Sequence, residues 1–264
     1  MKVKHPVFRS SGCSAAMPFL LSLLGFVTIF LLVSCDTGHY NFKPESMYWL
    51  QFRGPNASGI APENADPPIR FNALTNLLWK TEMLPGWSSP CIVNDRIFLT
   101  GYNDSDSLLY TVAINRENGE ILWRGSVLPH GYYDMHPINT YANASVASDG
   151  EKIFASFPNY GLIAYDLDGN MLWDFTHETL SHFYGGGCSP LIADSVVIIM
   201  INSNQDPRFM AIDCQTGDSV WTIRITEHKW VSLESSATPV LWNDLLILHL
   251  SEVIAAYNVI DGNV

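Results

Sequence analysis

Ala211-Ile212-Asp213-Cys214-Gln215-Thr216-Gly217-Asp218-Ser219-Val220-Trp221 is the stretch that decides the fold, because its skeleton returns along the chain. The skeleton is Ala-x-Asp-x-x-Thr-Gly-x-x-x-Trp. A second copy carries Ala113, Asn115, Asn118, Gly119 and Trp123, and a third, one residue shorter, carries Ala164, Asp166, Asp168, Gly169 and Trp173. A fourth begins Ala256, Asn258, Asp261, Gly262, and the sequence stops at Val264 before its tryptophan is due. The four alanines are 51, 47 and 45 residues apart. Such a period marks one supersecondary unit repeated around a ring or along a solenoid.

Each unit reads as four short strands. In the first, Ser89 to Val93, Arg96 to Thr100, Leu108 to Ile114 and Ile121 to Trp123 are apolar runs, separated by turn signals such as Asn94-Asp95 and Asn118-Gly119. The order repeats with Ile153 to Phe157, Leu162 to Tyr165 and Met171 to Trp173, then with Val196 to Ile201, Phe209 to Ile212 and Trp221, then with Leu245 to Leu250 and Val253 to Tyr257. Runs of this length bounded by Gly, Asn and Asp are strand and hairpin signals. Within the motif, small alanine lets an indole lie close. The Asp or Asn caps the turn through backbone amides. Glycine supplies positive φ, and tryptophan is a flat apolar surface that fills the gap between neighbouring sheets. The expectation is an all-β protein, a β-propeller of four-stranded antiparallel blades.

The motif resembles the tryptophan-docking repeat of the pyrroloquinoline-quinone-type (PQQ-like) propellers, over roughly residues 48–264. Further landmarks of the resemblance are Gln51-Phe52-Arg53-Gly54-Pro55-Asn56 and Gly86-Trp87-Ser88-Ser89-Pro90. Cys188-Ser189-Pro190 and Ala237-Thr238-Pro239 repeat the small-small-Pro approach to a blade's first strand. The resemblance implies blade-docking roles for Ala113, Gly119, Trp123, Ala164, Asp166, Gly169, Trp173, Ala211, Asp213, Thr216, Gly217 and Trp221. It implies two functional classes. One is a non-catalytic module, like the propeller lipoprotein of the outer-membrane β-barrel assembly machine. The other is a quinoprotein dehydrogenase using PQQ and calcium on the propeller axis.

Residues 1–34 read as a lipoprotein signal peptide: Lys2, Lys4 and Arg9 precede an almost wholly apolar run from Met17 to Val33, and Leu32-Val33-Ser34-Cys35 looks like a bacterial lipobox. Cys35 is then the lipid attachment site, residues 35–47 a polar tether, and residues 48–264 the propeller. The expected location is exported and membrane-anchored, on the periplasmic or cell-surface face, with inner and outer membrane both open. Without the leader, 11 Lys and Arg stand against 26 Asp and Glu, a charge of about −15. So acidic a body argues against nucleic acid as partner. An envelope protein or a polysaccharide fits better.

Trp79 has no strands of its own blade before it, so it is expected to be the outer strand of the last blade, supplied from the N-terminal side. Two completions are open. Either residues 222–264 pair with the Trp79 strand to make a four-bladed ring, or the chain is a fragment of a larger one. A chain ending inside a turn motif favours C-terminal truncation. Cys91, Cys188 and Cys214 are expected to be buried small residues, with a Cys188–Cys214 disulfide as the alternative that an oxidising compartment allows.

No catalytic residue emerges. A quinoprotein of this resemblance would call for an aspartate base, calcium ligands and adjacent cysteines, and no two cysteines are adjacent here. Asp104 and Asp106 lack the glycine and glutamate of a calcium loop and read as a solvated hairpin tip. His130, Asp134 and His136 match no common zinc spacing. Gly185-Gly186-Gly187 lacks the following Lys-Ser or Lys-Thr of a phosphate loop. Glu227-His228-Lys229-Trp230 carries an aromatic and a charge pair suited to partner contact. The longest irregular insertion, holding His130, Tyr133, His136, Asn139 and Tyr141, is the expected ligand-contact loop, since long loops on rigid scaffolds often hold binding residues. The leading reading is a non-catalytic binding or scaffolding module with no cofactor. A PQQ- and calcium-dependent dehydrogenase is the alternative.

Overall fold

The computed structural model describes residues 48–61, 63, 65–180, 183–202, 206–225, 237–250 and 253–263. The leader, Cys35, the tether and the Glu227–Trp230 loop lie outside these residues. Among the described residues, no helix is long and apolar enough to cross a membrane.

The strands are β1 (Cys91–Val93), β2 (Arg96–Asn103), β3 (Leu108–Asn115), β4 (Ile121–Val127), β5 (Ala147–Ser148), β6 (Lys152–Phe157), β7 (Gly161–Asp166), β8 (Met171–Thr176), β9 (Leu191–Ala193), β10 (Val196–Ile201), β11 (Arg208–Asp213), β12 (Ser219–Arg224), β13 (Val240–Trp242), β14 (Leu245–Leu250) and β15 (Val253–Asn258). They form four antiparallel meanders in chain order: β1–β4, β5–β8 and β9–β12 with four strands each, and β13–β15 with three among the described residues. Two-residue hairpins join first to second strands in the first, third and fourth sheets, and their leading residues Asn94, Asp194 and Asn243 take φ of 55°, 54° and 52°. Asn and Asp tolerate this left-handed region better than other side-chain residues.

The middle strands β6, β7, β10 and β11 are buried on both faces, because the second and third sheets each lie between two others. Strand β14 of the fourth sheet instead alternates between buried and more exposed positions. Core clusters join the first sheet to the second, the second to the third and the third to the fourth. The outer strands β4, β8 and β12 alternate between half-buried and exposed positions along most of their length. Their tryptophans are therefore half-buried blade contacts rather than fully enclosed core.

The blade motif has one geometry throughout. Ala113 pairs with Trp123, Ala164 with Trp173 and Ala211 with Trp221, and a bulge follows each pair. The indole then reaches forward to the next sheet. Trp123 Nε1 donates to Leu167 O at 2.9 Å, Trp173 Nε1 to Cys214 O at 3.3 Å and Trp221 Nε1 to Val259 O at 3.0 Å. Each ring covers the next turn's glycine, where a Cβ would sit 2.6 Å from Trp123 (Gly169), 2.8 Å from Trp173 (Gly217) and 3.2 Å from Trp221 (Gly262). Glycine thus serves both as turn former and as the surface that receives the ring.

Trp79 docks the same way on the first sheet, with Nε1 donating to Arg116 O at 2.8 Å and its ring over Gly119. Its segment belongs to no strand and to none of the four sheets.

The first strand of the first sheet starts at Cys91 rather than Ser89. Ser89 and Pro90 leave the ladder because proline has no N–H and the Ser89 N–H goes elsewhere, to Ser145 Oγ at 2.9 Å. The same relay continues: Ser145 N donates to Ser189 Oγ at 2.9 Å, and Ser189 N to Thr238 Oγ1 at 3.1 Å. One hydroxyl ahead of each of β5, β9 and β13 thus ties its sheet to the preceding one.

Candidate functional site

The loop between β4 and β5 was expected to contact a ligand, and its residues separate into two groups. Tyr141 packs edge-on against Tyr102, Tyr132 and Tyr133, with ring centroids 5.0, 5.9 and 5.1 Å away, and its hydroxyl donates to Tyr133 O at 2.7 Å. Burial pushes the Tyr133 phenol well above the ordinary tyrosine range, and burial also raises Tyr141. This tyrosine cluster stiffens the loop.

His136 and Asn139 instead bridge to the loop between β8 and β9. His136 N donates to Phe183 O at 2.7 Å and Asn139 Nδ2 to Tyr184 O at 2.6 Å. The His136 ring lies 5.8 Å from Phe183 and 6.1 Å from Tyr184. His130 goes elsewhere, 4.9 Å from the ring of Tyr160. The structure therefore keeps His130 and His136 on different partners.

Trp87, on the stretch leading into β1, completes the patch. Its backbone N donates to Ala142 O and its Nε1 to Ile138 O, both at 2.9 Å. The outcome is an aromatic face on three loops that each lead into the first strand of a sheet. Trp87 is 61% exposed, Tyr184 55%, Tyr132 52% and Phe183 49%. Residues 84–90 and 183–189 carry no charge, and residues 128–146 carry one acid, Asp134, and no Lys or Arg. Sequence reading missed Trp87, Phe183 and Tyr184. The available signal was Phe183-Tyr184 just ahead of the glycine run, but their approach to His136 is a long-range fact.

Ser156, His177, Cys188, Met200 and Asn202 line a small cavity. Burial pushes the Cys188 thiol up to about 12 and holds the His177 imidazole below its ordinary value. The thiol is therefore protonated at neutral pH, so this is no activated thiolate.

Cys91, Cys188 and Cys214 are all free, which corrects the Cys188–Cys214 alternative. Cys214 is buried in the core between the second and third sheets, whereas Cys188 lines the cavity. Among the described residues, no three His, Cys, Asp or Glu side chains gather as a metal-binding group. Asp106 is a hairpin-tip acceptor, taking bonds from Tyr110 Oη at 2.7 Å, Asn103 Nδ2 at 2.8 Å and Leu108 N at 3.0 Å.

Antiparallel meanders docked in sequence by a tryptophan–glycine contact define a PQQ-like β-propeller. Residues 106–264 match the family described as outer membrane protein assembly factor BamB, and the chain belongs to that family. No curated protein matches the chain significantly. Among solved structures it is similar to BamB from Moraxella catarrhalis, at 14% identity over 73% of this chain and 55% of that one, with a TM-score of 0.49. It is similar to the quinohemoprotein alcohol dehydrogenase ADHIIG from Pseudomonas putida HK5, at 17% identity over 69% of this chain and 27% of that one, with a TM-score of 0.47. It is also similar to a europium-containing methanol dehydrogenase, at 18% identity over 54% of this chain and 25% of that one, with a TM-score of 0.40. The chain thus spans from 25% to 55% of these structures' lengths.

Proposed function

We propose that the chain is a non-catalytic binding or scaffolding module of the cell envelope, exported and held to a membrane by a lipid on Cys35. Its aromatic face is where an envelope protein or polysaccharide docks. The observation that carries this reading is that Trp87, Tyr132, Phe183 and Tyr184 stand in solvent while backbone hydrogen bonds fix the loops that bear them. Rigid exposed aromatics on a patch whose loops carry a single acid, Asp134, and no Lys or Arg offer large contact area at low entropic cost. Membership of a family described by outer membrane assembly supports an envelope partner.

A photo-crosslinking amino acid placed at Tyr184 in cells tests this. The expected result is a discrete adduct, protein or glycan, that the same group at exposed Leu74 does not give. No adduct from Trp87, Tyr132, Phe183 or Tyr184 would sink the docking face. Saturable quenching of tryptophan fluorescence by PQQ with calcium, followed by dye reduction with alcohols or sugars, would replace the reading with an oxidoreductase.

A further inference from the structure

The first strand of each sheet is an end strand, so β1, β5, β9 and β13 would present unpaired backbone edges. One stretch of chain visits all four. Trp49 and Ile92 of β1 exchange both backbone hydrogen bonds, each 2.9 Å. Leu50 O accepts from Ser148 N of β5 at 2.8 Å and from the Cys91 thiol at 3.4 Å. Gln51 Oε1 accepts from Ile192 N of β9 at 3.3 Å. The 3-10 turn Pro55–Ala57 lies against β13. β1 also touches β5, and β5 touches β9, so these three end strands form one continuous inner rim, and the Pro55–Ala57 turn carries it on to β13.

The stretch is shaped to fit. Gly54 takes φ 67° and ψ −146°, a region only glycine enters readily. A Cβ there would stand 2.5 Å from the Trp49 ring, which folds over it. Gly59 N donates to Arg53 O at 2.8 Å and closes the loop behind the turn. Tyr48 and Leu50 pack on the core between the first two sheets.

We propose that the inner rim is a peptide-binding groove, and that Trp49–Ala57 is its ligand, bound in cis. The recognised chemistry is an extended backbone that completes the rim's edges, a side-chain amide at the position of Gln51, and a Gly-Pro turn. This is strand addition to sheet edges at β1 and β5, extended by a side-chain amide at β9 and a turn against β13. It is independent of the aromatic face. Any other extended peptide, or any ligand entering the rim, has to displace this segment first.

The test uses the full chain with a protease recognition sequence inserted between Asp66 and Pro67, in an exposed stretch. After cleavage, the N-terminal piece is expected to co-elute with the propeller in native size-exclusion chromatography. A labelled synthetic peptide of residues 48–60 should then exchange into the cleaved protein by anisotropy, and the same peptide carrying Gly54→Val should bind at least about tenfold more weakly. In the uncut chain, Gly54→Val should speed alkylation of Cys91 while leaving Cys214 slow. A piece that leaves a folded propeller, or two peptides of equal affinity, would overturn the proposal. If Gly54→Val unfolds the whole chain, the peptide comparison still decides.

Discussion

Gly169 lies under the indole of Trp123, so close that a Cβ on residue 169 would stand 2.6 Å from the ring. Its φ of 90° independently disfavours any side chain. Gly169→Ala should therefore cost about 2–4 kcal/mol, combining overpacking with backbone strain. Gly150 separates the two effects, having φ 97° but nothing within 4 Å of a built Cβ. Gly150→Ala should cost only about 1 kcal/mol. Urea unfolding of both variants checks this, and equal losses would remove the ring contact from the account.

Trp173 tests the forward reach of the motif. Its ring covers Gly217 and its N–H reaches Cys214 O at 3.3 Å. Trp173→Phe keeps most of the apolar contact and loses the donor, so about 1 kcal/mol is expected. Trp173→Ala empties the site and should cost about 3 kcal/mol, the lower end for a large aromatic because the ring is half-exposed. A Phe variant as unstable as the Ala variant would mean the hydrogen bond, not the packing, dominates.

The repeat was legible because its parts are local: Asp213 accepts from the amides of Gln215 and Thr216 at 2.8 and 2.9 Å, all within one turn. The spacing of Ala211 and Trp221 likewise follows from one hairpin. What could not be read was which sheet a ring touches, since Trp123 meets Gly169 across 46 residues of sequence. The aromatic face shows the same division. His136 and Tyr141 could be nominated from a long polar insertion. Trp87, Phe183 and Tyr184 join them only through tertiary contacts at Ile138, His136 and Asn139. Gln51 belongs to a landmark stretch, but its bond to Ile192 spans 141 residues of sequence.

The hydroxyl relay gives a third expectation. Ser189 is buried and its Oγ is the acceptor for the equally buried Ser145 N–H. Ser189→Ala leaves that amide without its partner, at a cost of about 1–3 kcal/mol. Ser189→Thr keeps the acceptor, as Thr238 does at the equivalent place in the next sheet, accepting from Ser189 N at 3.1 Å. Recovery of at least half the lost stability by the threonine variant is the expected outcome of paired thermal melts. No difference between the two variants would assign the effect to packing.

Acid sensitivity should concentrate in the turn motifs. Backbone amides, chiefly those of Thr216 and Gln215, hold the Asp213 carboxyl below its ordinary range. The side-chain amide of Asn170 does most of this for Asp166. A carboxyl depressed in the folded state stabilises it fully above the unfolded value of roughly 4, and loses that contribution as pH falls through the folded value. Asn115 occupies the same motif position with an uncharged acceptor, taking bonds from Glu117 N at 2.8 Å and Asn118 N at 3.2 Å. Asp213→Asn should therefore leave the melting temperature near neutral pH almost unchanged and make its decline below about pH 4 shallower. Melts of wild type and variant from about pH 7 to about pH 3 decide it. Parallel curves throughout would show that the amides bind the acceptor geometry alone and that the charge of Asp213 contributes nothing.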